Sequence, residues 1–191
     1  LWLKEKNNLI KGLLKKIEIG VVIKQDILES QVNMVYLGIG SNLGNRKKNI
    51  EDAKFKLSKA NIEILESSSY YETLSWPNQY NPKYLNIVLK VNTNLTISKL
   101  LKICKEVEYY LGRRKAPKNS PRKCDIDIID YNNKKLKGDI IVPHPRMHKR
   151  NFVLFPLFEI NKEWKHAVLK QHIKTLIISL PNKDISSIKQ I

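Results

Sequence analysis

The sequence predicts an α+β domain with two helices on one face of an antiparallel sheet. Three observations carry this. Short apolar runs of strand character recur at about 35–39, 62–71, 84–91 and 124–131. Two runs with apolar residues every three or four positions separate them, at about 46–59 and 96–111. The composition, 42% hydrophobic and 28% charged, is that of a folded globular chain.

Taken in order, the chain first runs through residues 1–33, a Lys-rich and weakly amphipathic stretch. It lacks the apolar centre of a signal peptide, and its acidic residues argue against a transit peptide. It reads as an N-terminal extension, helical or an upstream start, with the compact domain spanning 34–191. Val35–Ile39 is the first strand, with Gly38 and Gly40 flanking a turn. The stretch Asn42–Asn45 caps a helix whose apolar face is Ile50, Ala53, Phe55 and Leu57. A strand at Ile62–Tyr71 leads into the Pro- and aromatic-rich loop LSWPNQYNPK. The next strand, Tyr84–Val91, alternates Leu85, Ile87, Leu89 and Val91. Thr96 or Ser98 opens the second helix, which buries Leu100, Leu101, Cys104 and Val107 and stops at Gly112. A basic loop, 113–123, precedes the fourth strand, Cys124–Tyr131. A short strand near Asp139–Val142 and helices near Asn151–Phe158 and Ile173–Leu180 complete the chain. The order β-α-β-β-α-β, followed by a C-terminal appendage, is the ferredoxin-like arrangement.

Composition narrows the function. No run of eighteen apolar residues is present, which excludes a membrane-spanning helix. Cys104 and Cys124 are isolated, which points to a reducing, cytoplasmic setting. The formal charge of +17 favours polyanionic partners, although plain solvated lysine accounts for much of it. Arginine is more selective. The chain has six, and five fall between 113 and 150. Only Arg offers a planar two-pronged donor for phosphate or carboxylate, so that window predicts an anion site.

Four constellations bear chemistry. In Arg122-Lys123-Cys124-Asp125-Ile126-Asp127-Ile128, strand alternation puts Asp125 and Asp127 on one face and Ile126 and Ile128 on the other. Adjacent carboxylates repel unless a cation sits between them, and such a pair suits Mg²⁺ completed by phosphate oxygens. The plainer alternative is a solvated strand face. The loop GRRKAPKNSPR is rich in Lys and Arg and could close over a polyphosphate, or simply be solvated. In VPHPRMHKRNF, two prolines fix a turn presenting His144, Arg146, His148 and Arg150 together. Finally Thr73, Trp76, Tyr80, Tyr84 and Asn86 could hold a flat heterocycle by stacking and edge hydrogen bonds. GIGSNLG lacks the GK[ST] of a phosphate loop and reads as a strand-to-helix turn. A sheet-based RNA-binding module is the competing class. It is disfavoured because two carboxylates on the sheet face repel a phosphate backbone.

In sequence order, YLGIGSNLGNR, SSYYET, YLNIVLKV, LGRRK, PRKCDIDIIDY and VPHPRMHKRNFVLFPLFEI resemble the 6-hydroxymethyl-7,8-dihydropterin pyrophosphokinase family of folate biosynthesis. The stretches anchor about residues 34–160, and residues 1–33 have no counterpart. The resemblance implies a monomeric enzyme that moves pyrophosphate from ATP to the hydroxymethyl pterin and releases AMP, without nucleic acid or membrane as partner. It implies that Asp125 and Asp127 hold two Mg²⁺ ions, with Arg113 and Arg122 completing the catalytic set. It further implies that Glu108, Lys115, Ile128, His144 and Arg150 serve ATP, and that Thr73, Leu74, Trp76, Tyr84, Asn86 and Phe152 form the pterin pocket. Asn119-Ser120 stand where some members carry Trp-Gly, and Lys105 and Pro145 also depart from the pattern. These departures bear on loop closure.

Overall fold

The computed structural model describes residues 32–75, 78–117 and 119–191, together with Lys11 and Lys15. The chain divides into two units, Leu1–Val32 and Asn33–Ile191. The helix expected in the first 33 residues lies outside the described residues, apart from those two helical lysines.

The second unit is built on strand β1, Asn33–Ser41. Helix α1 spans Arg46–Lys59, and the Asn45 side chain caps it by accepting from Lys48 N. Capping fills one of the orphan donors of the first turn. Strands β2 (Glu63–Ser67), β3 (Tyr71–Thr73) and β4 (Tyr84–Thr93) follow. Helix α2, Ile97–Tyr110, is capped by Thr96 and closed at Gly112, whose φ of 99° lies in the left-handed region that favours glycine. Then come β5 (Asp125–Tyr131), a 3₁₀ turn at Met147–Lys149, helices α3 (Asn151–Ile160), α4 (Ile173–Ile178) and α5 (Asn182–Ser187), and strand β6 (Lys189–Gln190). The sheet is antiparallel, in the order β5-β1-β4-β3-β6, with β2 also paired to β4.

Alternation along β1, β4 and β5 sorts the side chains into two cores. Val35, Leu37, Ile39, Leu85, Ile87, Leu89, Ile126 and Ile128 face α1 and α2, which contribute Ile50, Ala53, Leu57, Leu100, Cys104 and Val107. This is the expected two-helix face. Phe55, expected to join it, is 57% exposed. Its neighbours at 50, 53 and 57 already span the buried stripe, and position 55 points away from it.

The segment expected as an appendage forms a second layer. Val153, Leu154, Leu157 and Ile160 of α3 and Ile173 and Leu176 of α4 pack with Tyr36, Val88 and Ile129 on the opposite sheet face. A bulge between Tyr36 and Leu37 in the β1–β5 register leaves Ile129 as the extra residue. Ile129 and Asp130 thereby both serve the second layer, and the Asp130 carboxylate accepts from Trp164 Nε1 at 2.8 Å. Two further expectations need correction. The single strand over 62–71 is broken into β2 and β3, where Ser68 interrupts pairing by accepting Val88 N with its own hydroxyl at 3.0 Å. The strand near 139–142 is reduced to one bridge, Leu136 with Val142.

The second layer generates two expectations. Leu154 is fully buried, so Leu154→Ala should lower the unfolding free energy by about 2–5 kcal/mol, while the same change at the 80%-exposed Ile178 should cost under about 0.5 kcal/mol; urea titration checks both. His148 and His166 stand edge to face at 5.8 Å, and His166 Nδ1 accepts from Val168 N and Leu169 N. Burial pushes both imidazoles below their usual range. Unfolding then takes up protons, so this part of the stability is full above the unfolded value of about 6.5 and is lost as pH falls through the lower folded values. His166→Asn, which retains an acceptor, should flatten that acid-side slope in melts across about pH 5–7.

Candidate active site

The second layer does not cover the whole sheet face. Beyond Ile129 and Val153 it leaves a cleft of about 540 Å³. Its floor is β1, where glycines replace side chains. A Cβ at Gly40 would stand 2.9 Å from Asn86 Oδ1, and one at Gly38 would stand 3.2 Å from Ile129 Cδ1. Both glycines therefore lie within the strand as floor rather than flanking a turn.

Asp125 and Asp127 open β5 and share the face of the cleft. Their repulsion is relieved by guanidinium groups. Arg113 Nη1 pairs with Asp125 Oδ1 and reaches Glu108 Oε2 at 2.9 Å. Arg122 Nε lies 3.5 Å from Asp125 Oδ2 and donates to Tyr84 OH at 3.0 Å. Arg150 Nη1 lies 3.4 Å from Asp127 Oδ2, and His144 Nε2 lies 3.9 Å from the same oxygen. His144 Nδ1 accepts from Arg146 N at 3.2 Å, which assigns the ring proton to Nε2, toward Asp127. Burial lowers the His144 pKa. Asp127 opposes that shift, while Arg150 and Arg146 add to it, so the ring is neutral.

Glu108 is the anchor beneath this array. It is 1% exposed, and a buried carboxylate needs full compensation. It receives Ile126 N at 2.7 Å, Lys105 Nζ at 2.9 Å and the Arg113 fork. It thus fixes the start of β5 and the cation beside Asp125 together.

The other end of the cleft is flat and partly apolar. Asn86 Nδ2 donates to Thr73 Oγ1 at 3.0 Å, and Leu74, Tyr84 and Phe152 line the walls. Burial raises the Tyr84 pKa, while Arg122 opposes the shift. Arg150 stacks 5.3 Å from the Phe152 ring, which joins the charged and flat ends. Glu159, at the far end of α3, accepts from Ser69 N, Ser69 Oγ and Tyr71 OH, so the helix bearing Phe152 also holds the strand bearing Thr73.

Of the residues expected at the site, Arg113, Arg122, Asp125, Asp127, His144, Arg150, Thr73, Leu74, Tyr84, Asn86 and Phe152 converge on this one cleft. Trp76 lies outside the described residues. Lys115 is exposed and does not line the cleft, Ile128 packs into the first core, and Glu108 supports the site from below. Tyr80 is fully exposed. Both cysteines are free and buried, and burial raises the Cys104 pKa to about 12, so neither supplies a thiolate.

Sequence reasoning missed Asn42. Buried, it accepts Arg122 N at 2.7 Å and donates to Ser75 Oγ and Pro82 O, tying the end of β1 to both loops of the cleft. Only its position directly after a strand hinted at this. Lys105, Arg114 and Arg146 also line the cleft.

The chain is also similar to known proteins in sequence and in fold. A sequence model of the family described as 7,8-dihydro-6-hydroxymethylpterin-pyrophosphokinase matches residues 36–162. The chain is 38% identical over 141 residues to the 2-amino-4-hydroxy-6-hydroxymethyldihydropteridine pyrophosphokinase of Aquifex aeolicus, covering 73% of this chain and 88% of that protein. It is 37% identical over 155 residues to the folic acid synthesis protein fol1 of Pneumocystis carinii, covering 81% of this chain and only 21% of that longer protein. A crystal structure of Plasmodium falciparum HPPK-DHPS shares the fold with a TM-score of 0.65 at 14% identity, over 86% of this chain and 48% of that one.

Asn42→Ala removes the acceptor for the part-buried Arg122 amide and the link between the loops. The expected loss is about 1–3 kcal/mol of unfolding free energy, read from denaturant titration, because an orphaned donor costs its full desolvation. Stability unchanged from that of the parent chain would refute the role assigned to Asn42.

Proposed function

The chain belongs to the 7,8-dihydro-6-hydroxymethylpterin-pyrophosphokinase family, and from that premise we propose that it transfers the β,γ-pyrophosphate of ATP to 6-hydroxymethyl-7,8-dihydropterin. The observation that carries this reading is the joining, in one cleft, of a carboxylate pair opposed by guanidinium groups with a flat pocket edged by Asn86, Thr73, Tyr84 and Phe152.

The donor set suits Mg²⁺. The ion is held by one or two carboxylates together with substrate phosphates, and Asp125 and Asp127 offer that pair. Phosphate oxygens and water would complete the shell, as is usual for this ion. Asp125 and Asp127 would hold two such ions, which when bound neutralise charge developing on the phosphate oxygens.

The protein's own groups do the rest. Without ligand, Arg113, Arg122 and Arg150 neutralise the two acids. Triphosphate oxygens accept from these forks as carboxylates do, and on binding the guanidinium groups turn to phosphate and release the carboxylates. Neutral His144 donates from Nε2 to a phosphate oxygen. Glu108 keeps Arg113 aimed. Asn86, Thr73 and the backbone at Leu74 read the pterin edge, and Tyr84 and Phe152 hold its plane. The pterin hydroxyl oxygen then attacks the β-phosphorus as the bond to the α-phosphate oxygen breaks. AMP leaves with the electron pair, and the hydroxyl proton passes to solvent. Catalysis is positioning and electrostatics, and no side-chain nucleophile takes part.

A monomer in the cytoplasm, free of nucleic acid and membrane, completes the proposal. No helix among the described residues is long and apolar enough to cross a membrane. AMP should form only when ATP, Mg²⁺ and the hydroxymethyl pterin are all present; AMP formation without the pterin, or tight RNA binding with none, would overturn this reading. Asp127→Ala should lower kcat by at least about 100-fold, with the thermal midpoint within a few degrees of the parent chain. Near-normal turnover in that variant would refute the role of the carboxylate pair.

A further inference from the structure

The arginines of the cleft are not equivalent. Arg113, Arg122 and Arg150 each face a carboxylate within 3.5 Å. Arg114 folds back onto the carbonyls of Tyr109 and Arg113. Arg146 also lines the cleft, yet among the described residues its guanidinium meets no carboxylate.

Its position is fixed all the same. His144 N donates to Ile129 O at 3.0 Å, Arg146 N to His144 Nδ1, and Lys149 N to Arg146 O at 3.2 Å. Met147 is buried in the second core and pins the turn to the sheet. The backbone therefore holds Arg146 between His144 and Arg150, and its charge opposes positive charge on both. Asp127 pairs with His144 and Arg150, and Asp125 also acts on Arg150, so the acids near this turn are engaged by its other cations. A cation held beside another cation without its own counter-ion raises the energy of the empty protein, and an arriving anion lowers it.

We propose that Arg146 is a further polyphosphate-binding residue, which takes oxygens of the nucleotide's triphosphate at the Asp127 end of the cleft. This rests on the pyrophosphoryl-transfer reading above. Because Arg146 is exposed at the rim, on a long side chain, its contact is made alike in the bound nucleotide and in the transition state. Such uniform binding sets affinity and not rate.

The test is calorimetric titration of the whole chain with a non-hydrolysable ATP analogue and Mg²⁺, alongside steady-state kinetics, for the parent, Arg146→Ala and Arg146→Lys. Arg146→Ala should weaken analogue binding and raise KM for ATP about tenfold, the scale of one charge-assisted hydrogen bond at a wet rim. The kcat should stay within about twofold and the pterin KM should not move. Arg146→Lys should fall between, since it keeps the charge and loses the fork. The salt dependence of affinity should be shallower in Arg146→Ala. Analogue affinity equal to the parent's, or a fall in kcat at unchanged KM, would overturn the inference. A parent chain that neither binds the analogue nor releases AMP would instead overturn the reaction itself, and this inference with it.

Discussion

Two carboxylates on the same face of one strand set the terms for everything around them. Asp125 and Asp127 are two residues apart on β5, and the pleat leaves their charges side by side over a floor of glycine. Such a pair is tolerable only with positive charge close by. The protein supplies it from three directions, Arg113 after α2, Arg122 from the loop before β5 and Arg150 from the turn before α3, with the neutral His144 ring beside Asp127. Each cation is itself fixed. Glu108 holds Arg113, Asn42 and Tyr84 hold Arg122, and Phe152 lies against Arg150. Each of the two acids thus has a guanidinium group within 3.5 Å.

The fold supplies rigidity on both sides of that array. The α1–α2 layer buries one sheet face and carries Glu108 on its inner surface. The α3–α4 layer buries part of the other face and stops short, and the cleft lies on the part it leaves open. Helix α3 works at both ends, with Phe152 in the cleft wall and Glu159 clamped on Ser69 and Tyr71. Arg46 and Lys83 meet on Glu72 and fasten the loop after β3 to its strand, and the Arg46 hydrogen bond holds the Glu72 carboxyl below its usual range. The flat pocket and the charged end are therefore parts of one packed body.

Much of this was legible in the sequence, because local periodicity encodes it. The alternation in DIDII put the two acids on one face, and the structure agrees. Five of the six arginines fall between 113 and 150, and that window supplies the guanidinium groups that face Asp125 and Asp127. What was not legible depends on long-range contacts. No local signal shows that residues 151–180 return to the open face of the sheet, since an amphipathic run reads alike on either side. The bulge at Tyr36–Leu37 shifts Asp130 onto the second-layer face, and an ideal alternation cannot anticipate it. Asn42 looked like cap material for α1, but Asn45 does that work, and Asn42 bonds to residues 33, 40 and 80 positions away. Gly38 and Gly40 suggested a turn. Their actual role, leaving room for Asn86 and Ile129, exists only once β4 and β5 lie alongside β1.

The exchange of partners at Asp125 and Asp127 can be seen directly. A crystal structure with Mg²⁺, a non-hydrolysable ATP analogue and the hydroxymethyl pterin should show both carboxylates on metal, with Arg113 and Arg122 turned from Asp125 onto phosphate oxygens. Guanidinium–carboxylate pairs that persist unchanged, with the nucleotide seated elsewhere, would contradict the account.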